Sequence, residues 1–417
     1  MFPDRSFNST AASGDGFDSR MSLESELQQR LAEIREQGLY RELRRVNSPQ
    51  LPHIDVDGRT LLNFSSNDYL GLANDPRLKE AAINAVQRYG AGSGASRLIC
   101  GSLAPHHELE QALAAFKGTE AALTFSSGYA TALGVICALL DKDDVIVLDK
   151  LVHACCVDAA RLSGAKLRIF EHNDLNDLES ILKWASTRPR AETGKRPTIL
   201  IVTESVFSMD GDTAPLRELI DLKDRYGAWL MLDEAHATGV FGKKRRGLAE
   251  ELSVADRVDI QMGTLGKAVG ASGGYIAGSR ALVDYLINRA RSFIFSTAPV
   301  PAAAAAARAG IEVINSAAGQ ERCERLWRRV AQIPSALSGR KSGPATPIIP
   351  WIIGKEERAM AVAGALREKA IFVPAIRYPT VPRGSARLRL TVTAAHSVTD
   401  IEQLLAAMKS VDPGLPL

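Results

Sequence analysis

The sequence predicts an α/β protein, with a large, mostly parallel sheet and a smaller C-terminal α+β domain. Three observations carry this. Short apolar runs at 144–149, 198–203 and 228–232 alternate with helical patterns, the order of a parallel sheet covered on both faces. Those runs end in polar residues able to do chemistry, at the edge where such sheets bind ligands. From about residue 345 the elements become shorter and mixed in order, which marks a second domain.

Composition removes several function classes. At 46% hydrophobic and 24% charged residues, the chain has an ordinary globular profile. A net charge of +3 gives no argument for nucleic acid or for an acidic membrane surface. No apolar run is long enough to cross a bilayer. Residues 1–21 are rich in Ser, Gly and Asp and lack the apolar centre of a secretory leader, so a disordered tail is expected. The five cysteines show no C-x-x-C spacing, which fits reduced thiols in the cytoplasm.

The elements follow in order. Ser22 caps a helix with Glu24 and Glu26 in its first turn, and Leu23, Leu27, Leu31 and Ile34 recur at helical spacing. Gly38 interrupts it, and Leu39 and Leu43 continue the pattern beside Arg41, Arg44 and Arg45. Those arginines read as a solvated face or as an anion-binding arm. Residues 53–64 form a hairpin with an Asp57-Gly58 turn. A polar loop with Asn67 and a helix at 76–89 come next. The tiny residues at 90–97 loosely match a dinucleotide fingerprint, but a helix precedes them where that motif needs a strand. They mark close backbone approach instead. His106-His107 has no further ligand at metal spacing, so a hydrogen-bonding role fits better.

A helix at 107–117 and a strand at 121–125 lead into Ser126-Ser127-Gly128-Tyr129, a strand-to-helix turn of small residues. Such a turn presents free N–H groups and a favourable dipole to a phosphate. His153 follows the strand at 144–149, Ser208 the strand at 198–203, and Asp233 and His236 the strand at 228–232. Lys267 follows a strand at 258–262. Beyond it lie a helix at 280–291, Ser296-Thr297, and a helical alanine run at 302–307. The C-terminal elements are strands at 347–353, 371–374 and 386–392 and helices at 356–369 and 399–408. The expected domains are the tail 1–21, a helix and hairpin segment 22–62, a large domain 63–300 and a small domain 301–417.

Lys267 is the one charge in the decapeptide 261–270, among three glycines. A crevice there would desolvate the ammonium and lower its pKa, which makes the amine a usable nucleophile. The chemistry that most wants such a lysine is a Schiff base with an aldehyde, above all pyridoxal phosphate (PLP). Two other motifs fail. Asp233-Glu234-Ala235-His236 is also a helicase tetrapeptide, but Gly266-Lys267 is preceded by Gln261 and followed by Ala268 where a phosphate loop needs Gly and Ser or Thr. Gly270-Ala271-Ser272-Gly273-Gly274 fits a hydrolase elbow, but lacks the strand before and the helix after.

The chain resembles the α-oxoamine synthase family of fold-type I PLP-dependent transferases from about residue 22 to its end. The matching stretches are NFSSNDYLGL (63–72), GAGSGASRLICG (90–101), FSSGYATA (125–132), ESVFSMDGD (204–212), DEAHATG (233–239), GTLGKAVGASGG (263–274) and PAIRYPTVPRGSARLRLTVTAAH (374–396). The resemblance implies that Lys267 holds PLP covalently and later moves the substrate α-proton. It implies that Asp233 faces the ring nitrogen, His153 stacks on the ring, and Ser208 and His236 approach the phenolic oxygen. Gly128, Tyr129 and Thr264 would bind the phosphate, joined by Ser296 and Thr297 of a neighbouring subunit in a homodimer. Arg389 would take the amino-acid carboxylate, with Asn67 and His106 lining the site, Thr380 as a further substrate-binding residue, and Arg41 and Arg377 as candidates for acyl recognition. The implied activity is decarboxylative condensation of L-alanine with a pimeloyl thioester, as in biotin biosynthesis, with CoA and acyl-carrier protein both open as donors. Glycine with an acetyl group, serine with a long acyl chain, and a non-catalytic partner subunit are the other readings. Retention of Lys267, Asp233 and His153 argues against the last.

Overall fold

The computed structural model of the chain describes residues 22–189, 196–338 and 344–415. The expected tail at 1–21 lies outside them. The chain divides into two units, Met1–Arg44 and Arg45–Leu417.

In the first unit, α1 (Leu23–Glu36) is capped by Ser22, whose Oγ accepts the Ser25 N–H at 3.1 Å. Gly38 ends it at φ +65°, with Gly38 N–H bonded to Arg35 O and Leu39 N–H to Ile34 O. That left-handed cap satisfies the last carbonyls and turns the chain away. The helix therefore does not resume through Leu39 and Leu43, contrary to the sequence pattern. No residue of α1 is buried.

The second unit opens with the hairpin β1 (His53–Val56) and β2 (Arg59–Asn63). Asp57 and Gly58 both take positive φ, 52° and 82°, as a tight hairpin turn requires. After α2 (Pro76–Tyr89) and α3 (Ala104–Lys117) the alternation begins. It runs β3 (Ala121–Phe125), α4 (Gly128–Leu139), β4 (Val145–Asp149), α5 (Ala154–Ser163), β5 (Lys166–Phe170), α6 (Leu175–Ser186), β6 (Ile199–Glu204), α7 (Leu216–Tyr226), β7 (Trp229–Asp233), the short α8 (Leu248–Glu251), β8 (Ile260–Thr264) and β9 (Gly274–Gly278). Helices α9 (Arg280–Arg289), α10 (Arg291–Ile294), α11 (Pro301–Ile314) and α12 (Ala317–Ala331) follow. The chain closes with β10 (Ile348–Gly354), α13 (Glu356–Glu368), β11 (Ile371–Phe372), β12 (Ala375–Ile376), β13 (Ala386–Thr391) and α14 (Val398–Val411).

β3 to β9 form one seven-stranded sheet in the order β3-β9-β8-β7-β6-β4-β5. Its strands are parallel except β9, which runs against both neighbours. The alternation of side chains along a strand splits its residues between two cores. Val145, Val147, Ile199, Ile201, Leu230 and Leu232 pack into one core. Ile146, Leu148, Leu200, Val202 and Met231 pack into the other. Both faces are thus covered, and the fold is the α/β fold of the sequence expectation. A second, antiparallel sheet is ordered β10-β13-β12. The third joins distant parts of the chain, because β11 pairs in parallel with β2 through Ile371 opposite Leu62.

A buried ion pair anchors the segment after β7. Lys117 Nζ donates to Glu234 Oε2, Glu234 Oε1 accepts the Ala249 N–H at 2.9 Å, and both side chains are about 1% exposed. Burial opposes the charge on Lys117, but Glu234, helped by Tyr275 and Glu250, holds it above its ordinary range. Lys117→Met leaves Glu234 charged, buried and unpaired. Unfolding in denaturant should then show a loss of about 3–5 kcal/mol; a loss below about 1 kcal/mol would mean that Glu234 finds another partner.

Candidate active site

Four adjacent strands end side by side at the C-terminal edge of the large sheet. In sheet order their exits carry Lys267 beyond β8, Asp233 on β7, Glu204 on β6 and His153 beyond β4. Glu204 lies opposite Asp233 in the parallel register, so both side chains project from the same face. The row therefore reads cation, acid, acid, imidazole. Strand order makes it, since the four residues are far apart in the chain.

The row sets its own electrostatics. Burial lowers the pKa of Lys267, while Asp233 and Glu204 pull it back and Arg389 lowers it again. Burial raises Asp233, and Lys267, the Ala235 N–H bonded to Oδ1 at 2.8 Å, and His153 oppose that rise. Glu204 is pushed up to about 8, by burial first and by Asp233 next. Its Oε2 accepts the Ser208 N–H at 3.1 Å. His153 caps α5, with Nδ1 accepting the Cys155 N–H at 3.2 Å, and the Cys155 thiol beside that nitrogen raises its pKa.

A cup for an anion lies next to this row. α4 begins at Gly128, and its cap Ser127 accepts the Ala130 N–H at 3.1 Å. The first N–H groups of a helix have no partner within it. A Cβ on Gly128 would stand 2.6 Å from Thr264 Cγ2, so only glycine lets the turn close on β8. Thr264 Oγ1 is buried with no hydrogen-bond partner among the described residues. A hydroxyl left open beside a helix N-terminus fits a phosphate. The Tyr129 side chain turns outward, its hydroxyl donating to Asp158 Oδ2 at 2.8 Å, so only its backbone can serve the cup.

Across the site, Tyr69 OH meets His236 Nδ1 at 2.5 Å. Burial pushes the phenol up to about 12 and holds His236 well below its ordinary value. A phenol that keeps its proton donates it, which leaves the proton of a neutral His236 on Nε2. Asn67 Oδ1 lies 3.4 Å from the same hydroxyl.

The structure separates the two arginines of β13, which share a face. Arg387 is ion-paired with Asp210 at 2.5 Å. Arg389 donates from Nε to Ser208 O at 2.6 Å and from Nη1 to Thr391 Oγ1 at 2.7 Å. Its Nη2 is buried without a hydrogen-bond partner among the described residues. A guanidinium with no carboxylate of its own suits a substrate carboxylate.

The other sequence candidates fall elsewhere. His106 is fully buried. Its Nδ1 accepts the Leu103 N–H and its Nε2 bonds Pro299 O at 2.8 Å. No ring nitrogen is left for a substrate, so the expected substrate contact is corrected to a fold contact. Ser296 and Thr297 lie at the surface, where Ser96 bridges Thr297. Arg377 and Thr380 share a turn in which the Thr380 N–H donates to Arg377 O, with Thr380 exposed. Arg41 is exposed in the first unit. No group of three or more metal-ligating side chains occurs among the described residues. Tyr69 and Glu204 were not singled out from sequence, although each sits within a quoted stretch. Their signal was position: one precedes a helix in a polar loop, the other ends an apolar strand. A cavity of about 1140 Å³ opens at the opposite edge, lined by Trp229 and Ile260 at the starts of β7 and β8, and contains none of these groups.

Fold and site together define a class: residues 59–408 match the aminotransferase class I and II family, and the chain belongs to it, among the α-oxoamine synthases. The relatives narrow this further. An 8-amino-7-oxononanoate synthase of Geobacter sulfurreducens is 49% identical, covering 94% of this chain and 97% of its own. That of Anaeromyxobacter dehalogenans strain 2CP-1 is 50% identical over 91% and 93%. Among solved structures, a serine palmitoyltransferase of S. paucimobilis with a bound PLP–myriocin aldimine superposes with TM-score 0.86 at 28% identity, over 94% of this chain and 99% of that one. An 8-amino-7-oxononanoate synthase of Francisella tularensis gives 0.70 at 28%, over 84% and 97%.

Proposed function

We propose that this chain condenses L-alanine with a pimeloyl thioester, releasing CO2 and free thiol and giving 8-amino-7-oxononanoate, with PLP as cofactor. The observation that carries the chemistry is the row Lys267, Asp233, Glu204, His153 beside a phosphate cup. The identity of about 50% to synthases of this activity carries the substrate. The higher TM-score to serine palmitoyltransferase favours another amino acid, but it comes at 28% identity and measures the path of the backbone. Product analysis by mass spectrometry with alanine, glycine or serine against a panel of acyl thioesters decides. Preference for serine with a long acyl chain would sink the alanine assignment.

PLP, when bound, accepts the electron pair left on the α-carbon of the amino acid. The chain supplies the rest. Lys267 Nζ, whose pKa burial lowers, would hold the cofactor and move the α-proton of alanine. Asp233 keeps a proton on the ring nitrogen. Its own raised pKa is no obstacle, since a cationic ring nitrogen beside a buried carboxyl favours the ionised form. His153 would cover the ring, and Gly128, Tyr129 and Thr264 would hold the phosphate. Ser208 and neutral His236 would serve the phenolic oxygen. Arg389 Nη2 orients the alanine carboxylate until it leaves as CO2. Asn67 lines the site beside Tyr69, and Arg377 and Thr380 are assigned to the acyl donor, which is pimeloyl-CoA or the acyl-carrier-protein thioester.

Arg389→Ala should weaken alanine binding roughly tenfold to a hundredfold, the range of a lost charged hydrogen bond. Arg389→Lys should fall between, because it keeps the charge without the planar fork. Titration of the cofactor absorbance with alanine reads this, beside thioester affinity, which should hold. Unchanged alanine affinity in Arg389→Ala, with a loss in Arg387→Ala, reverses the assignment.

A homodimer with shared sites belongs to the same reading. Leu98, Ile99, Phe295 and Val300 are exposed around the bridge that joins Ser96 to Thr297. An apolar group of this kind marks an interface, and it would carry Ser296 and Thr297 toward a partner's phosphate. Mixing Lys267→Ala chains with chains altered at both Ser296 and Thr297 should restore activity, since one site in each mixed dimer escapes both lesions. Proven subunit exchange without recovery removes the shared site.

A further inference from the structure

The second acid of the row has no place in the mechanism above. Glu204 is 3% exposed and ends β6 between Asp233 and His153. Its Oε2 is held by the Ser208 N–H, while Oε1 is buried with no hydrogen-bond partner among the described residues. Leaving such an oxygen unmet is expensive, so in the working protein something occupies that position. The row also limits charge. Two carboxylates side by side in a dry site do not both ionise, and Asp233 is the one assigned to a cationic ring nitrogen. We infer that Glu204 is a further cofactor-binding residue, which keeps its proton beside ionised Asp233 and donates it from Oε1 to an oxygen acceptor of the bound cofactor.

The inference rests on PLP binding in this cavity. The groups facing Glu204 come from every neighbouring element: Asp233 on β7, His153 before α5, Lys267 after β8, Cys156 on α5 and Tyr69 before α2. Asp233 raises its affinity for a proton, Cys156 and Tyr69 are neutral, and the two cations lower it; burial and Asp233 prevail, and the carboxyl is pushed up to about 8. A donor of this kind fails when it loses its proton. Glutamine in its place keeps an acceptor for the Ser208 N–H and an N–H donor that never titrates.

The test is PLP affinity of the apo chain by fluorescence titration, for wild type, Glu204→Gln and Glu204→Ala, at about pH 6.5 and about pH 9.5, on either side of the value of about 8. The titration of the phosphate is common to all three; because Glu204 also supports the Lys267 ammonium, the lysine titration is followed separately in each variant from the absorbance of the lysine-bound cofactor, and its contribution is removed from the affinity ratio. At the lower pH wild type and Glu204→Gln should bind alike, with Glu204→Ala about five- to tenfold weaker. At the higher pH wild type should weaken about fivefold or more relative to Glu204→Gln. The infrared band of a protonated carboxyl should also be present in wild type at neutral pH and missing from Glu204→Gln. A ratio of wild type to Glu204→Gln that is the same at both pH values overturns the inference, even if Glu204→Ala fails to fold. Wild type that does not bind PLP at all would overturn the reading of the site itself, and the two failures are therefore distinct.

Discussion

Lys267→Ala should lose covalently held PLP and at least about a thousandfold in turnover, the scale of removing a positioned acid–base group. In wild type, borohydride should fix the cofactor to a single peptide containing Lys267; in the variant no peptide should carry it. The reason is local. Leu265 N–H bonds Gly273 O, and Ala271 N–H bonds Leu265 O, so the turn holding Lys267 is tied at both ends. Its amine has no hydrogen-bond or ion-pair partner among the described residues, and burial depresses its pKa. Capture of PLP needs the neutral amine. Its rate should rise with pH and level off below the ordinary lysine range. Normal turnover in Lys267→Ala would falsify the assignment.

Much of the large sheet was legible because buried parallel strands read as unbroken apolar runs. Val145–Asp149, Ile199–Glu204 and Trp229–Asp233 each lie within a residue of the expected strand. β5 was missed, because Lys166 and Arg168 alternate with apolar residues at the sheet edge and break the run. Cap chemistry set the start of α1 at Ser22, but the apolar spacing of Leu39 and Leu43 concealed the stop that Gly38 imposes. Pairings between distant segments left no local trace. Nothing near Leu62 announces that it will lie opposite Ile371.

The site divides the same way. Asp233, His153 and Lys267 could be placed at strand exits from local pattern, and the family resemblance supplied their roles. Their adjacency depends on the order β8-β7-β6-β4, a crossover order that no stretch of sequence displays. Glu204 was overlooked for that reason. An acid at the end of one strand is ordinary; it becomes chemically interesting only when a second acid lies opposite it. His106 shows the converse error. The family resemblance pointed it to the substrate although residue 106 lies outside the matching stretches, and both ring nitrogens serve the backbone.

Asp233→Asn should separate binding from chemistry. The variant keeps an oxygen for the Ala235 N–H, which now reaches Asp233 Oδ1 at 2.8 Å, so the end of β7 should hold its shape. What goes is the charge. Asp233 supports the protonated form of Lys267. Its removal lowers the lysine pKa further, so PLP capture should persist and its pH midpoint should move down. Asp233 also pushes Glu204 up, so the carboxyl of Glu204 should titrate lower in the variant. With the ring nitrogen no longer held protonated, exchange of the alanine α-proton for deuterium should slow by roughly 10²–10³-fold, the size of effect seen when one aligned electrostatic partner is removed from a developing charge. Exchange followed by NMR, beside a PLP titration of the same protein, measures both halves. Wild-type exchange in Asp233→Asn would mean that the ring nitrogen needs no anion here, and loss of PLP capture together with exchange would move Asp233 from the chemistry to the binding of the cofactor.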